Sequence, residues 1–154
     1  MLTSWRIVKA RHADAAFDGE GARILGGRWN SPGVPAVYTA GSAALAALEM
    51  LVHVGSSAIL PAYTLVACSF ETRVVLRPHR ARLPRDWHSY PPRPELQQLG
   101  DAWLKDATSA VLEVPSAIIP TESNYLLNPQ HKDFRAIRIA KPRPFEFDLR
   151  LLRG

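Results

Sequence analysis

The sequence predicts an α+β protein with mixed or antiparallel sheets and a few flanking helices. Three observations lead there. About six or seven short extended segments follow one another too closely for βαβ crossovers. Two stretches, 42–54 and 95–107, carry apolar residues at helical spacing. No internal repeat, low-complexity tract or linker divides the chain, so residues 1–154 read as a single domain.

In order, residues 3–8 form a first strand with Trp5 and Ile7 on one face and Ser4, Arg6 and Val8 on the other. Residues 19–23 read as a turn, and Gly26-Gly27 as a tight one that brings backbone close to a neighbour. Residues 36–39 are a second strand. The 42–54 helix is bracketed by Ser42 as N-cap and Gly55 as C-terminal stop. Residues 63–70, apolar on both faces, predict a central strand, followed by a short one at 74–76. Residues 78–94, rich in Pro, Arg and His, are loop. The 95–107 helix turns Leu96, Leu99, Trp103 and Leu104 inward. Residues 110–114 are a short buried strand, and 115–129, dense in Ser, Thr, Asn and Pro, follow as loop. Strands at 136–140 and 145–151 close the chain, the latter alternating Phe145, Phe147 and Leu149 against charged residues.

Composition narrows the function classes. Hydrophobic residues make up 47% and charged residues 21%, as in ordinary soluble globular proteins. There is no apolar run of about 18 residues for a membrane span, and the first residues lack the pattern of a signal peptide. The lone Cys68 excludes an internal disulfide and fits a reducing cytoplasm, and the five histidines show no metal-ligand spacing. The net charge of +5 is uneven. Residues 1–75 carry six Lys/Arg against five Asp/Glu, and 76–154 carry thirteen against nine. That balance favours polyanions, acidic partners or phosphate-bearing ligands.

Glu49 is the most unusual residue. It is the only charge between Ser42 and Val52, on one stripe with Leu45 and Val52. Such a carboxylate needs a cation or several donors. Arg28, in the glycine turn, is the charge with reason to be near; the two form either a structural ion pair or an active site with a tuned carboxylate. Tyr38 lies between them in sequence, and His53 sits near the helix C-terminus. Neither GxGxxG nor GxxxxGK[ST] is present, Ser116 lacks a GxSxG setting, and the basic run at 77–85 has no interleaved aromatics for stacking on single strands.

Taken together, Gly-Gly-Arg-Trp-Asn at 26–30, Ala-Leu-Glu-Met-Leu around Glu49, Val-Pro-Ser-Ala-Ile-Ile-Pro around Ser116, and Glu-Ser-Asn-Tyr-Leu-Leu-Asn-Pro at 122–129 resemble the RES domain. The likeness spans nearly the whole chain and is weakest over 78–108. RES domains are toxins of bacterial Xre–RES toxin–antitoxin pairs, with a fold similar to ADP-ribosyltransferases and NAD as substrate. The resemblance implies that Arg6, Arg28, Tyr38, Glu49, Ser116 and Asn124 line an NAD pocket. Arg6 and Arg28 would hold phosphate or ribose groups, and Tyr38 would pack on nicotinamide. Glu49 would serve the reacting ribose, while Ser116 and Asn124 supply hydrogen bonds. Arginine-directed ADP-ribosyltransferases carry Glu or Gln two residues before the catalytic Glu, where this chain has Ala47, which argues against an arginine acceptor.

The chemistry suits these residue types. Breaking the nicotinamide–ribose bond develops an oxocarbenium-like cation, which a fixed carboxylate stabilises. Guanidinium groups bind oxyanions bidentately, and no metal or further cofactor is required. The expected function is an NAD-consuming cytoplasmic toxin passing ADP-ribose to water or phosphate, with a protein acceptor as the alternative. Expected partners are NAD and an Xre-type antitoxin covering the active site. Nucleic acid would be reached only through the antitoxin, no membrane is engaged, and a homodimer is compatible. A basic RNA-acting or protein-interaction module is the rival of another class.

Overall fold

The computed structural model describes residues 1–54 and 61–152. Its framework is an eight-stranded sheet built from β1 (Leu2–Lys9), β2 (Val37–Ala40), β3 (Tyr63–Phe70), β4 (Val75–Leu76), β5 (Val111–Pro115), β6 (Ser123–Leu127), β7 (Arg138–Ile139) and β8 (Arg143–Phe145). The order is β4-β5-β6-β2-β1-β3-β7, with β8 also beside β3. Among the described residues only the β4–β5 pair is parallel. β1 and β3 pair along their whole length, from Leu2↔Phe70 to Lys9↔Tyr63, whereas β1 meets β2 at the single register Trp5↔Ala40.

One face of the sheet carries Val8, Val37, Val66, Cys68, Phe70, Val111, Tyr125 and Leu127, all in one buried cluster. The other face holds two clusters side by side. Helix α3 (Pro94–Asp106) lays Leu96, Trp103 and Leu104 against Leu112, Val114 and Leu126. Helix α2 (Ala43–Val54) lays Leu45 and Ala46 against Ile7, Ala40 and Tyr63. Full burial of a leucine such as Leu45 stabilises by about 1.5–3 kcal/mol. Between the helices the sheet surface is β2 and β6, where Tyr38 faces Leu126 and Ala40 faces Asn124.

Several expectations hold. Ser42 caps α2, its Oγ accepting from Leu45 N at 3.0 Å, while the Gly55 stop lies outside the described residues. Others are corrected. Residues 20–25 are a short helix α1 (Glu20–Leu25) rather than a turn, entered through Gly19 at φ +78°. The expected loop at 115–129 contains β6, an inner strand with Tyr125, Leu126 and Leu127 buried. The strand expected at 136–140 shrinks to β7 behind a 3-10 turn. At the C-terminus the chain leaves the sheet after Phe145 and forms a 3-10 turn over Leu149–Leu152. The Phe145/Phe147 alternation is real but serves a cluster in which Phe147 meets the Tyr63 ring edge-on at 5.3 Å. No helix among the described residues is long and apolar enough to cross a membrane.

Candidate active site

Glu49 stands one turn beyond Leu45 on α2, half-buried at the edge of the helix that faces β6. The stripe expected to run through Leu45, Glu49 and Val52 is not the buried one, since Val52 is 60% exposed and the helix packs through Leu45, Ala46, Met50 and Leu51. Two neutral donors meet the carboxylate. Ser116 Oγ–H donates to Oε1 at 2.9 Å, and Asn124 Nδ2–H donates to the same oxygen at 2.6 Å. Ser116 is fully buried and its Oγ accepts from the backbone N–H groups of Ile118 and Ile119, both at 3.1 Å. Its hydroxyl proton is therefore directed at Glu49. Asn124 must present its amide nitrogen to the carboxylate, which only accepts, and this leaves its buried Oδ1 with no partner among the described residues. Both residues are set by the sheet: Ser116 follows β5, and Asn124 lies opposite Ala40 beside α2.

Arg28 belongs to the turn joining α1 to β2, which is closed by Gly27 N–H donating to Asn30 O at 2.9 Å. Gly26 enters it at φ +71°, a conformation that costs other residues strain. A Cβ on Gly27 would sit 2.6 Å from the Tyr38 hydroxyl, so the glycine makes room for that ring. Tyr38 Oη accepts from Trp29 N–H at 3.0 Å and donates to Asn30 Oδ1 at 2.6 Å. Burial pushes the phenol pKa above its usual range. Arg28 Nη1 donates to the carbonyls of Trp87 and Ser89 at 3.1 and 2.8 Å, in the loop leading to α3. Partial burial lowers the guanidinium pKa, and the field of Glu49 is the largest effect opposing this. The two charges therefore share one region, but of the two alternatives the structural ion pair does not form. Neutral partners hold each of them instead.

The structure thus brings Glu49, Ser116 and Asn124 into contact, with Arg28 and Tyr38 on the same side of the sheet. It does not bring Arg6 there. Strand alternation sends Trp5 and Ile7 towards α2, while Arg6 shares the opposite face with Ser4 and Val8. Its Nη1 donates to Tyr38 O at 2.8 Å, where β1 and β2 pair so briefly, and its buried Nε has no partner among the described residues. Desolvation lowers its pKa, against the pull of Asp18 and Cys68. His53 is exposed. The basic run is partly engaged: Arg77 Nε contacts Glu113 at 2.6 Å and Arg80 donates to Pro120 O at 2.9 Å. A cavity of about 200 Å³ lies between these two arginines, Glu113 and Ser123. None of Arg28, Tyr38 or Glu49 lines it. No cluster among the described residues has the His, Cys, Asp and Glu needed to hold a metal.

The family model of the RES domain matches residues 3–148. This chain is a member of the RES domain family. It is 37% identical to "Toxin Res" of Photorhabdus laumondii subsp. laumondii over 151 residues, covering 97% of each chain. It is 38% identical to the "Prs ADP-ribosylating toxin" of a Sphingobium species, with 99% of each covered. The fold is similar to that in the crystal structure of the Mycobacterium tuberculosis MbcT–MbcA toxin–antitoxin complex, with a TM-score of 0.74, 24% identity, and 94% of this chain and 84% of that chain covered. The α+β architecture with a mixed, largely antiparallel sheet expected from the sequence is the one observed, and it is the fold shared with that toxin.

Sequence reasoning missed the residues that support the site. In this RES domain Asn30 is fully buried and donates through Nδ2 to the carbonyls of Ala22 and Val34, each at 2.9 Å. Gln97 and Asp101 reach the same turn from α3. The available signal was Gly100, an isolated glycine inside an otherwise good helix, which marks a close backbone approach.

Proposed function

We propose that this RES domain consumes NAD, cleaving the nicotinamide–ribose bond and passing ADP-ribose to water or phosphate. The observation that carries the reading is the clasp on Glu49, a carboxylate held on one oxygen by Ser116 and Asn124. Two neutral donors fix its position without neutralising its charge, so it can face a cation that develops beside it. In the reaction the C1′–N bond breaks and its electron pair leaves with nicotinamide, whose ring nitrogen loses its positive charge. An oxygen of water or phosphate then bonds to C1′, and the proton that water gives up passes to solvent. Asn124 Oδ1, the buried unpartnered acceptor, suits a ribose hydroxyl or the carboxamide N–H of NAD. Arg28 suits the pyrophosphate, whose oxyanions are better acceptors than the two carbonyls it now meets. The Tyr38 hydroxyl is committed to the turn, which leaves its ring for packing on nicotinamide.

The toxin names of the relatives and the toxin–antitoxin complex of the neighbouring fold support a role as the toxin of a toxin–antitoxin pair, which we place in the cytoplasm on the lone cysteine. The neighbouring fold was solved with an antitoxin bound, and we assign this chain an Xre-type antitoxin that covers the same site. A protein acceptor is the second reading, favoured by the name of the Sphingobium relative, which specifies ADP-ribosylation of Prs. One experiment separates these. Purified protein is incubated with labelled NAD, with and without phosphate and with and without Prs, and the fate of ADP-ribose is followed. Free ADP-ribose or its phosphate ester is expected; label on Prs would transfer the reading to protein modification. RNA cleavage that survives Glu49→Gln, with NAD untouched, would replace both.

A further inference from the structure

We propose that one face of α3, made by Gln97, Gly100 and Asp101, positions Arg28 for the substrate, and that Gln97 is a positioning residue for NAD turnover. This rests on the reading of Arg28 as the group that holds an NAD oxyanion. The three residues fall at i, i+3 and i+4 and so share a face of the helix. Each one meets backbone of the turn that carries Arg28. Gln97 Nε2 donates to Gly27 O at 2.9 Å and to Asn30 O at 3.3 Å. Asp101 Oδ1 accepts from Ser31 N–H at 2.8 Å. At Gly100 the two backbones touch, because an added Cβ would lie 1.6 Å from Trp29 O.

The turn is thereby held from both sides, by Tyr38 from the sheet and by α3 from the helix layer. The adjoining face of α3 is itself fixed, since Leu96, Trp103 and Leu104 are buried against the sheet. A helix that served packing alone would have no use for an amide and a carboxylate aimed at main-chain groups of a single turn. The geometry points to placement of the Arg28 Cα, from which the guanidinium reaches out to the loop carbonyls of Trp87 and Ser89. A displacement of about an ångström at such a point is enough to cost binding and turnover. Gln97 is only half-buried, so its loss affects the position of the turn more than the stability of the chain.

The test uses Gln97→Met, which keeps the volume and removes the donor, and Gln97→Glu, which sets an acceptor against two carbonyls. NAD affinity, KM and kcat are measured for each, alone and combined with Arg28→Ala, alongside thermal melts. Gln97→Met is expected to raise KM for NAD roughly tenfold with a smaller change in kcat, the order of one misplaced charge-assisted hydrogen bond. Gln97→Glu should do more, and neither should weaken NAD binding further once Arg28 is alanine. If Gln97→Glu does not fold, Gln97→Met alone gives the same reading. An unchanged KM in Gln97→Met, or effects that simply add to those of Arg28→Ala, would overturn the role of α3. If Arg28→Ala itself leaves NAD affinity intact, the failure lies with Arg28 as the oxyanion group.

Discussion

Replacing Glu49 by glutamine is the most direct test of the chemistry, because the structure separates its effect on rate from its effect on folding. Both donors, Ser116 Oγ and Asn124 Nδ2, meet Oε1. A glutamine can place its single acceptor oxygen there and keep both hydrogen bonds, with its amide group at the position of Oε2. What changes is charge. Two charge-assisted hydrogen bonds become neutral ones, and because Glu49 is half-exposed the cost to stability should stay within about 1 kcal/mol. The rate should respond far more, since removing one preorganised electrostatic group from a reaction centre costs about 10²–10³-fold, or roughly 2.7–4 kcal/mol. The assay is nicotinamide release from NAD, set beside a thermal melt. A Glu49→Gln protein that melts like the parent and retains its turnover would refute the role of the carboxylate. Glu49→Ala is the poorer variant, because it removes the acceptor of both donors and leaves buried polar groups unpaired.

Three further outcomes are expected. Arg28→Lys should lose NAD affinity nearly as far as Arg28→Ala, about tenfold or more, because an ammonium cannot present a planar pair of donors; a titration with NAD checks it. Gly100→Ala should destabilise by about 4 kcal/mol or more, an exceptional value for one methyl group, because that group would fall on Trp29 O; chemical denaturation measures it. Alkaline pH should destabilise the protein through Tyr38. Its folded pKa is raised above the unfolded value of about 10, so its contribution is intact below that pH and is lost as the pH rises towards the folded value. Tyr38→Phe should flatten the alkaline limb of a stability–pH profile.

Glu49 was legible because a lone carboxylate in an apolar helix is visible without any structure. Its partners Ser116 and Asn124 were not legible from the residues alone and entered only through the family resemblance, as hydrogen-bonding residues of the pocket. Sequence shows where charges are, and so it offered Arg28; it does not show which neutral donors a sheet will deliver. Those donors come from the end of β5 and the start of β6, and β6 was hidden by the Ser, Thr, Asn and Pro around Tyr125, Leu126 and Leu127. Local turn chemistry argued for a loop, and pairing with β2 and β5 on both sides overrode it. Arg6 shows the reverse case. Alternation along β1 already placed it with Ser4 and Val8, and only the family resemblance drew it into the pocket. The C-terminal phenylalanines kept their predicted common side without the predicted strand, because a ring cluster around Tyr63 satisfies the same pattern.

On the proposed reading, the separation of Arg28 from Glu49 is the feature that makes the site usable. Had the two met as a buried ion pair, each would have cancelled the field of the other, and a substrate would have had to break that pair before either could act. Instead a hydroxyl and an amide hold Glu49, and two main-chain carbonyls hold Arg28. All four partners are neutral, so both charges remain uncompensated by close contact. For the proposed role of Arg28 the exchange would be favourable, because a phosphate oxygen would replace a carbonyl with a stronger acceptor and the loop carbonyls could turn to water. For Glu49 no exchange is needed, since its second oxygen takes no part in the clasp. NAD asks for this same division, with negative charge along its pyrophosphate and positive charge developing at its ribose. A site that keeps a cation and a carboxylate in one region, each held by neutral groups, would on the proposed reading meet both ends of that molecule.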